Sequence, residues 1–266
     1  MFQRREAFLS QKTMTKWSKD RLGDYVLLPA SNGYVTRSQC QFVSHFWRTR
    51  DNPDPGGEYL RLVQRDLKVQ TWSYIWVDWT CMPQHPRKRN EEFYFLQSLQ
   101  LMPGIIRNCA FMWYYPPFEP RLWILYEIAE YTLTCDDGLQ GIITPDMKEF
   151  ASHIDEMLQV GVRSTLSRHG YGCTFDRDKE FLTSWLEVLV LLRKLAIDTD
   201  DVRVLMDHLT WSPSIEVVLC HTKNGIVVFC RFEGTLTLKG ACHTFTPFPR
   251  WMVNTLKLLS LNPRAN

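Results

Sequence analysis

The stretch Cys109–Cys135, CAFMWYYPPFEPRLWILYEIAEYTLTC, decides how the chain is read. It opens on an apolar, aromatic run from Ala110 to Tyr114, the length of a strand. Pro116, Pro117 and Pro120 then fix φ and withhold backbone donors, so the strand must stop. Pro120 suits the first turn of a helix, where an N–H goes unpaired anyway, and Glu119 has the right sign for that end. The helix that follows is apolar nearly all round, from Leu122 to Tyr131, yet carries two acids, Glu127 and Glu130. Glu127 shares a face with Trp123, Glu130 and Tyr131 at helical spacing. A carboxylate among aromatic rings on a buried helix is costly unless it is paired or used. Two readings stand side by side: a structural acid paired with Arg121 or another base, or a catalytic acid.

Two similar strand signals lie upstream, Gln41 to Trp47 and Ser73 to Trp79. Each precedes a helical pattern, one over about 57–70 and one from near Asn90 that should break at Pro103-Gly104. Alternation of strand and helix at roughly 30-residue spacing calls for an α/β fold, a parallel sheet with helices on both faces. The strands near 41–46, 73–79 and 108–114 are expected to be parallel neighbours. Ligands of such sheets bind beyond the carboxyl ends of the strands. Those ends carry Ser44, His45, Trp47 and Arg48, then Asp78 and Thr80, then Tyr114, Tyr115 and Glu119.

The first 30 residues hold Arg4, Arg5, Lys12, Lys16, Lys19 and Arg21 against Glu6, Asp20 and Asp24. They read as a basic arm, helical over its first half, either a solvated face or a nucleic-acid contact. Downstream, helices are expected over 146–158, 178–195 and 200–210, with a loop at Gly170-Tyr171-Gly172. Strands around Thr222-Lys223-Asn224 give a hairpin signal. One or two more strands follow over 234–245, and a closing helix over 251–259. The expected organisation is a basic arm (1–37), an α/β domain (38–195) and a small β-rich extension (196–266).

Net charge is only +2 over 266 residues, with 45% hydrophobic content and ten Trp, so polyanion affinity would have to come from local clusters. The eight cysteines show no CxxC and no zinc-finger spacing with His, and read as buried free thiols of a cytoplasmic protein. No metal or cofactor site is expected. There is no secretory leader and no window of membrane-spanning length. GxGxxG, Walker, HExxH and GxSxG motifs are absent. His45 and its neighbour Ser44 point to opposite faces of a strand, which leaves His45 a core or loop-orienting role. Arg48 and Arg50 suit either a phosphate or surface salt bridges. Cys81 reads as a packed residue rather than a nucleophile.

FVSHFW (42–47), YIWVDWTCMPQ (74–84) and RLWILYEIAEY (121–131) together resemble Toll/interleukin-1 receptor (TIR)-like domains over about residues 38–195. The resemblance implies a flavodoxin-like (Rossmann-like) sheet and a Trp-x-x-x-Glu element, matched by Trp123 and Glu127. In enzymatic members that Glu cleaves NAD at the nicotinamide–ribose bond. The basic insertion after Pro83 and the β-rich tail depart from that pattern. The chain is also similar in size and character to the fungal arginine-containing cyclodipeptide synthases, which draw aminoacyl groups from tRNA and close them into a diketopiperazine. That similarity implies aminoacyl-tRNA as partner and no cofactor. The candidate catalytic residues of an enzymatic reading are Glu127, Ser44 and Asp78. Trp47, Arg48, Tyr114, Glu119, Trp123 and Glu130 would line the substrate, and Arg87, Lys88 and Arg89 would meet tRNA phosphates. A non-catalytic TIR-like interaction module is the third alternative.

Overall fold

The computed structural model describes residues 1–29, 33–49, 51–114, 118–135 and 145–250, and for Tyr114, Pro145 and Asp146 the backbone alone. The expectations for Arg50, Tyr115 and the closing helix at 251–259 lie outside the described residues. The chain is mixed α/β and divides into two compact units, Met1–Pro116 and Pro117–Asn266.

The first unit is built on a five-stranded sheet. Its strands are β1 (Phe2–Arg4), β2 (Tyr25–Val26), β3 (Cys40–His45), β4 (Tyr74–Trp76) and β5 (Ala110–Tyr114), in the order β2-β1-β4-β3-β5. As expected, β3 pairs in parallel with both β4 and β5. The sheet is mixed rather than all-parallel, because β1 joins β4 antiparallel and carries β2 antiparallel on its far side. Part of the basic N-terminal segment is therefore built into the sheet and continues as a short helix, α1 (Arg5–Leu9), with Phe2 and Phe8 buried. Strands this short leave no periodic signal in the sequence.

Register explains the core. Phe42 lies opposite Trp76 on one side and Phe111 on the other. The three rings stack across the sheet, with centroids 5.0 and 5.6 Å apart. The opposite face carries Val43, Ile75 and Val77, which pack with Tyr59, Leu60, Val63 and Leu67 of α2 (Glu58–Lys68). The Asp54 carboxylate, in the turn-rich loop before it, accepts from the N–H groups of Tyr59 (3.2 Å) and Leu60 (2.9 Å), so two donors at the helix start are satisfied. After β4 the chain turns at once into a short helix, α3 (Asp78–Cys81), which puts Asp78 at a helix start instead of inside a strand. The following helix, α4 (Arg89–Asn108), runs through Pro103 instead of breaking there. Met102, Pro103, Gly104, Ile105 and Ile106 are all buried, and that packing outweighs the lost backbone bond.

The second unit begins with α5 (Leu122–Leu133), α6 (Pro145–Val160), α7 (Val162–Arg168), α8 (Asp176–Lys194) and α9 (Thr199–Trp211). A four-stranded antiparallel meander follows: β6 (Val217–Thr222), β7 (Gly225–Cys230), β8 (Thr235–Leu238) and β9 (Ala241–Thr244). The hairpin signal at Lys223-Asn224 is the β6–β7 turn. The buried guanidinium of Arg231, just after β7, closes the end of α9 by donating to the carbonyls of Leu209 and Ser212. None of the eight cysteines is in a disulfide. Cys40, Cys81, Cys109, Cys135 and Cys220 are buried, Cys173 and Cys230 half-buried, and Cys242 is exposed on the edge strand β9. Among the described residues no helix is long and apolar enough to cross a membrane.

Candidate functional site

Beyond the carboxyl ends of β3 and β4, three side chains named by the sequence converge. The Asp78 carboxylate meets Nε2 of His45 at 2.9 Å through Oδ1 and accepts Nε1–H of Trp47 at 2.9 Å through Oδ2. It also accepts the backbone N–H of Trp79 at 2.5 Å. The Asp78 backbone carbonyl accepts from Gln84 Nε2, which ties down the turn behind it. Hydrogen bonds thus reach both of its oxygens and fix its orientation. The Asp78 side chain is nonetheless 30% exposed while that of His45 is 1% exposed, so the acid opens to solvent and the imidazole lies behind it.

The other ring nitrogen of His45, Nδ1, is buried with no partner among the described residues. The ring packs edge-on against Tyr59 of α2, centroid to centroid 6.2 Å. Trp47 meets Trp79 edge to face at 5.2 Å. Lys16 lies over the Trp79 ring at 5.6 Å and donates to the carbonyl of His85. Arg48 pairs with Glu58 at 2.6 Å and lies 4.6 Å over the Tyr59 ring. Burial pushes the Tyr59 phenol above its ordinary range.

Other residues singled out in the first unit sit elsewhere. Ser44 is buried and alternates with His45 on the strand, as the pleat requires. Tyr114 stands opposite His45 in the β3–β5 register. Arg87 is engaged: it pairs with Glu92 at 2.6 Å and lies 3.7 Å over the Phe95 ring. Lys88 and Arg89 are exposed at the start of α4, where the Glu91 carboxylate accepts the Lys88 N–H. His45 is the member of this cluster to which the sequence assigned no chemical role. The usable signal was its two-residue offset from Trp47, which points both toward the Asp78 turn.

The second unit holds the α5 residues, and it separates the two acids. Glu130 is fully buried and accepts Nε1–H of Trp185 on α8 at 2.5 Å. Glu127 and Trp123 are half-buried. The Trp123 side chain hydrogen-bonds Asp178, whose carboxyl is held above its usual range chiefly by burial. Glu119 is exposed, and its carbonyl accepts the Arg121 N–H just before α5. No group of His, Cys, Asp and Glu among the described residues is arranged to hold a metal ion. Comparison with known proteins finds no family model, curated protein or solved structure that matches this chain.

Proposed function

We propose that the chain is a tRNA-dependent cyclodipeptide synthase that joins an arginyl group from Arg-tRNA to a second aminoacyl group and releases a cyclic arginyl dipeptide. The observation that carries this reading is the Asp78 site. A solvent-open carboxylate, oriented by His45, Trp47 and the Trp79 N–H, lies beside the half-buried Trp47 indole. An anion next to an aromatic face is the chemistry that recognises a guanidinium or an α-ammonium. Both are present in an arginyl ester. In the reaction an α-amine attacks the ester carbonyl of the other aminoacyl-tRNA, a C–N bond forms, and the ribose hydroxyl of tRNA leaves with a proton. The free α-amine of the dipeptidyl ester then attacks its remaining ester carbonyl, the second C–N bond closes the ring, and the ribose hydroxyl of the other tRNA leaves with a proton. The ammonium must first lose its proton to a base; Glu127 of the second unit is the acid the sequence offers for that role, a candidate independent of the Asp78 site.

The second reading, an NAD glycohydrolase, draws on the half-buried Trp123–Glu127 pair of α5. One experiment separates the two. The chain is expressed alone in a heterologous host and its small molecules are analysed by mass spectrometry, alongside the Asp78→Asn variant. Cyclic arginyl dipeptides that disappear in the variant support the synthase. NAD depletion with free nicotinamide, and no such dipeptides, replaces it with the glycohydrolase.

A further inference from the structure

The second unit contains a stacked pair of histidines that neither reading uses. His153 on α6 and His169 after α7 lie ring on ring, with centroids 3.6 Å apart and planes 27° from parallel. His153 is buried, and its Nδ1 meets the Tyr171 hydroxyl at 2.8 Å. Phe118 packs edge-on against the same ring, centroid to centroid 5.5 Å. His153 thus touches two segments, one around Phe118 and one around Tyr171.

Those segments meet at the start of α5. The Gly172 N–H donates to the Pro120 carbonyl, and the Leu122 N–H donates to the Gly172 carbonyl, both at 3.0 Å. Arg121 and Gly172 form an isolated parallel bridge. The turn that His153 holds through Tyr171 therefore carries the backbone bonds that seat the beginning of α5, the helix of Trp123 and Glu127.

We propose that the His153–His169 stack is a proton-sensitive latch, closed at neutral pH and released by mild acid, that controls how firmly the start of α5 is held. Among the described residues, the titratable and charged groups facing the pair are Tyr171, Glu149, Glu156 and Arg168. Glu156 pairs with His169 Nε2 at 2.7 Å and with Arg168 at 2.5 Å. Its hydrogen bond to His169 holds its carboxyl below the usual range. Burial pushes the Tyr171 phenol far up, so it remains a hydroxyl and can donate to Nδ1. Glu149 lies 3.6 Å from His153 Nε2, outside hydrogen-bonding distance. Its attraction does not offset burial and the neighbouring imidazole, which together hold His153 below its ordinary pKa, burial being the larger cause.

The sign follows. A histidine whose pKa is lowered in the closed form takes up its proton more readily once exposed. The closed state has its full stability above the ordinary value of 6.5 and loses it as pH falls from there toward the lowered value. A proton on His153 also places positive charge against the stacked His169 ring and requires the Tyr171 hydroxyl to turn from donor to acceptor.

The test is hydrogen exchange on the full chain at pH 7.5 and 5.5, corrected for the chemical exchange rate and read in peptides covering 118–126. The expected result is a loss of protection approaching tenfold per pH unit below about 6.5, the limit for one linked proton. His153→Phe keeps an aromatic ring and should abolish that dependence. His169→Gln removes half of the stack and serves if the first variant fails to fold; it should weaken the dependence. Equal protection at both pH values, or an acid response unchanged in whichever variant folds, would overturn the latch. The consequence for turnover rests on the role of Glu127 proposed above, whereas the exchange readout does not.

Discussion

Glu127 and Glu130 are three residues apart on one helix, and the fold gives them different surroundings. Glu130 is buried against the Trp185 indole, while Glu127 stays half-buried. Glu130→Leu leaves the buried Trp185 N–H without its acceptor, so the urea midpoint should fall by an amount equivalent to about 1–3 kcal/mol. Glu127→Gln keeps shape and removes the titrating group. It should fold normally and lose roughly a hundredfold or more in turnover, measured as product formed per folded molecule. Near-full activity of that variant would make Glu127 a structural residue. The sequence located both acids and the aromatic company they keep. It did not reveal which one is buried, because that is decided by Trp185, 55 positions further along. His45 was hidden for a related reason: its chemistry comes from Asp78, 33 positions away at the helix start that follows the next strand.

Among the elements, α2 shows how a loop residue reaches the site. Asp54 caps the helix through Tyr59 and Leu60, and Tyr59 in turn packs against His45. Asp54→Ala should cost about 1–2 kcal/mol in chemical denaturation, the usual scale for a lost cap, and should blunt activity in the protein that stays folded. Activity unchanged at full occupancy of the folded state would disconnect α2 from the site. The strand–helix alternation from Cys40 to Tyr114 was legible because each strand is a short run rich in apolar and aromatic residues and each is followed by a helical pattern. Strands β1 and β2 and helix α7 were not. At three, two and seven residues they are too short for a period to emerge, and tertiary pairing makes them. The end of α4 went unread for the opposite reason: Pro103 is a strong local breaker, and burial of its neighbours overrules it.

At the scale of the whole molecule, a net charge of +2 gives no general pull on polyanions, so the tRNA binding proposed above would rest on particular cations. Arg87 is tied to Glu92 and Phe95, whereas Lys88 and Arg89 are exposed beside it. Replacing Lys88 and Arg89 with Ala should weaken tRNA binding and flatten the log–log salt dependence by about one to two units, from the counterions no longer released. Binding that is unchanged across a salt series would remove these two from the phosphate path. Arg87→Ala should instead loosen the beginning of α4 and show first in melting. Thiol burial has a further use as a clock. A large excess of a disulfide reagent should reach Cys242 at once. Cys109, whose thiol burial pushes far up, must wait for the first unit to open, and Cys135 for the second. Cys173, pushed up to about 11 chiefly by burial, should react in between. The order in which these masses appear would time the breathing of each half of the unaltered chain in a single tube.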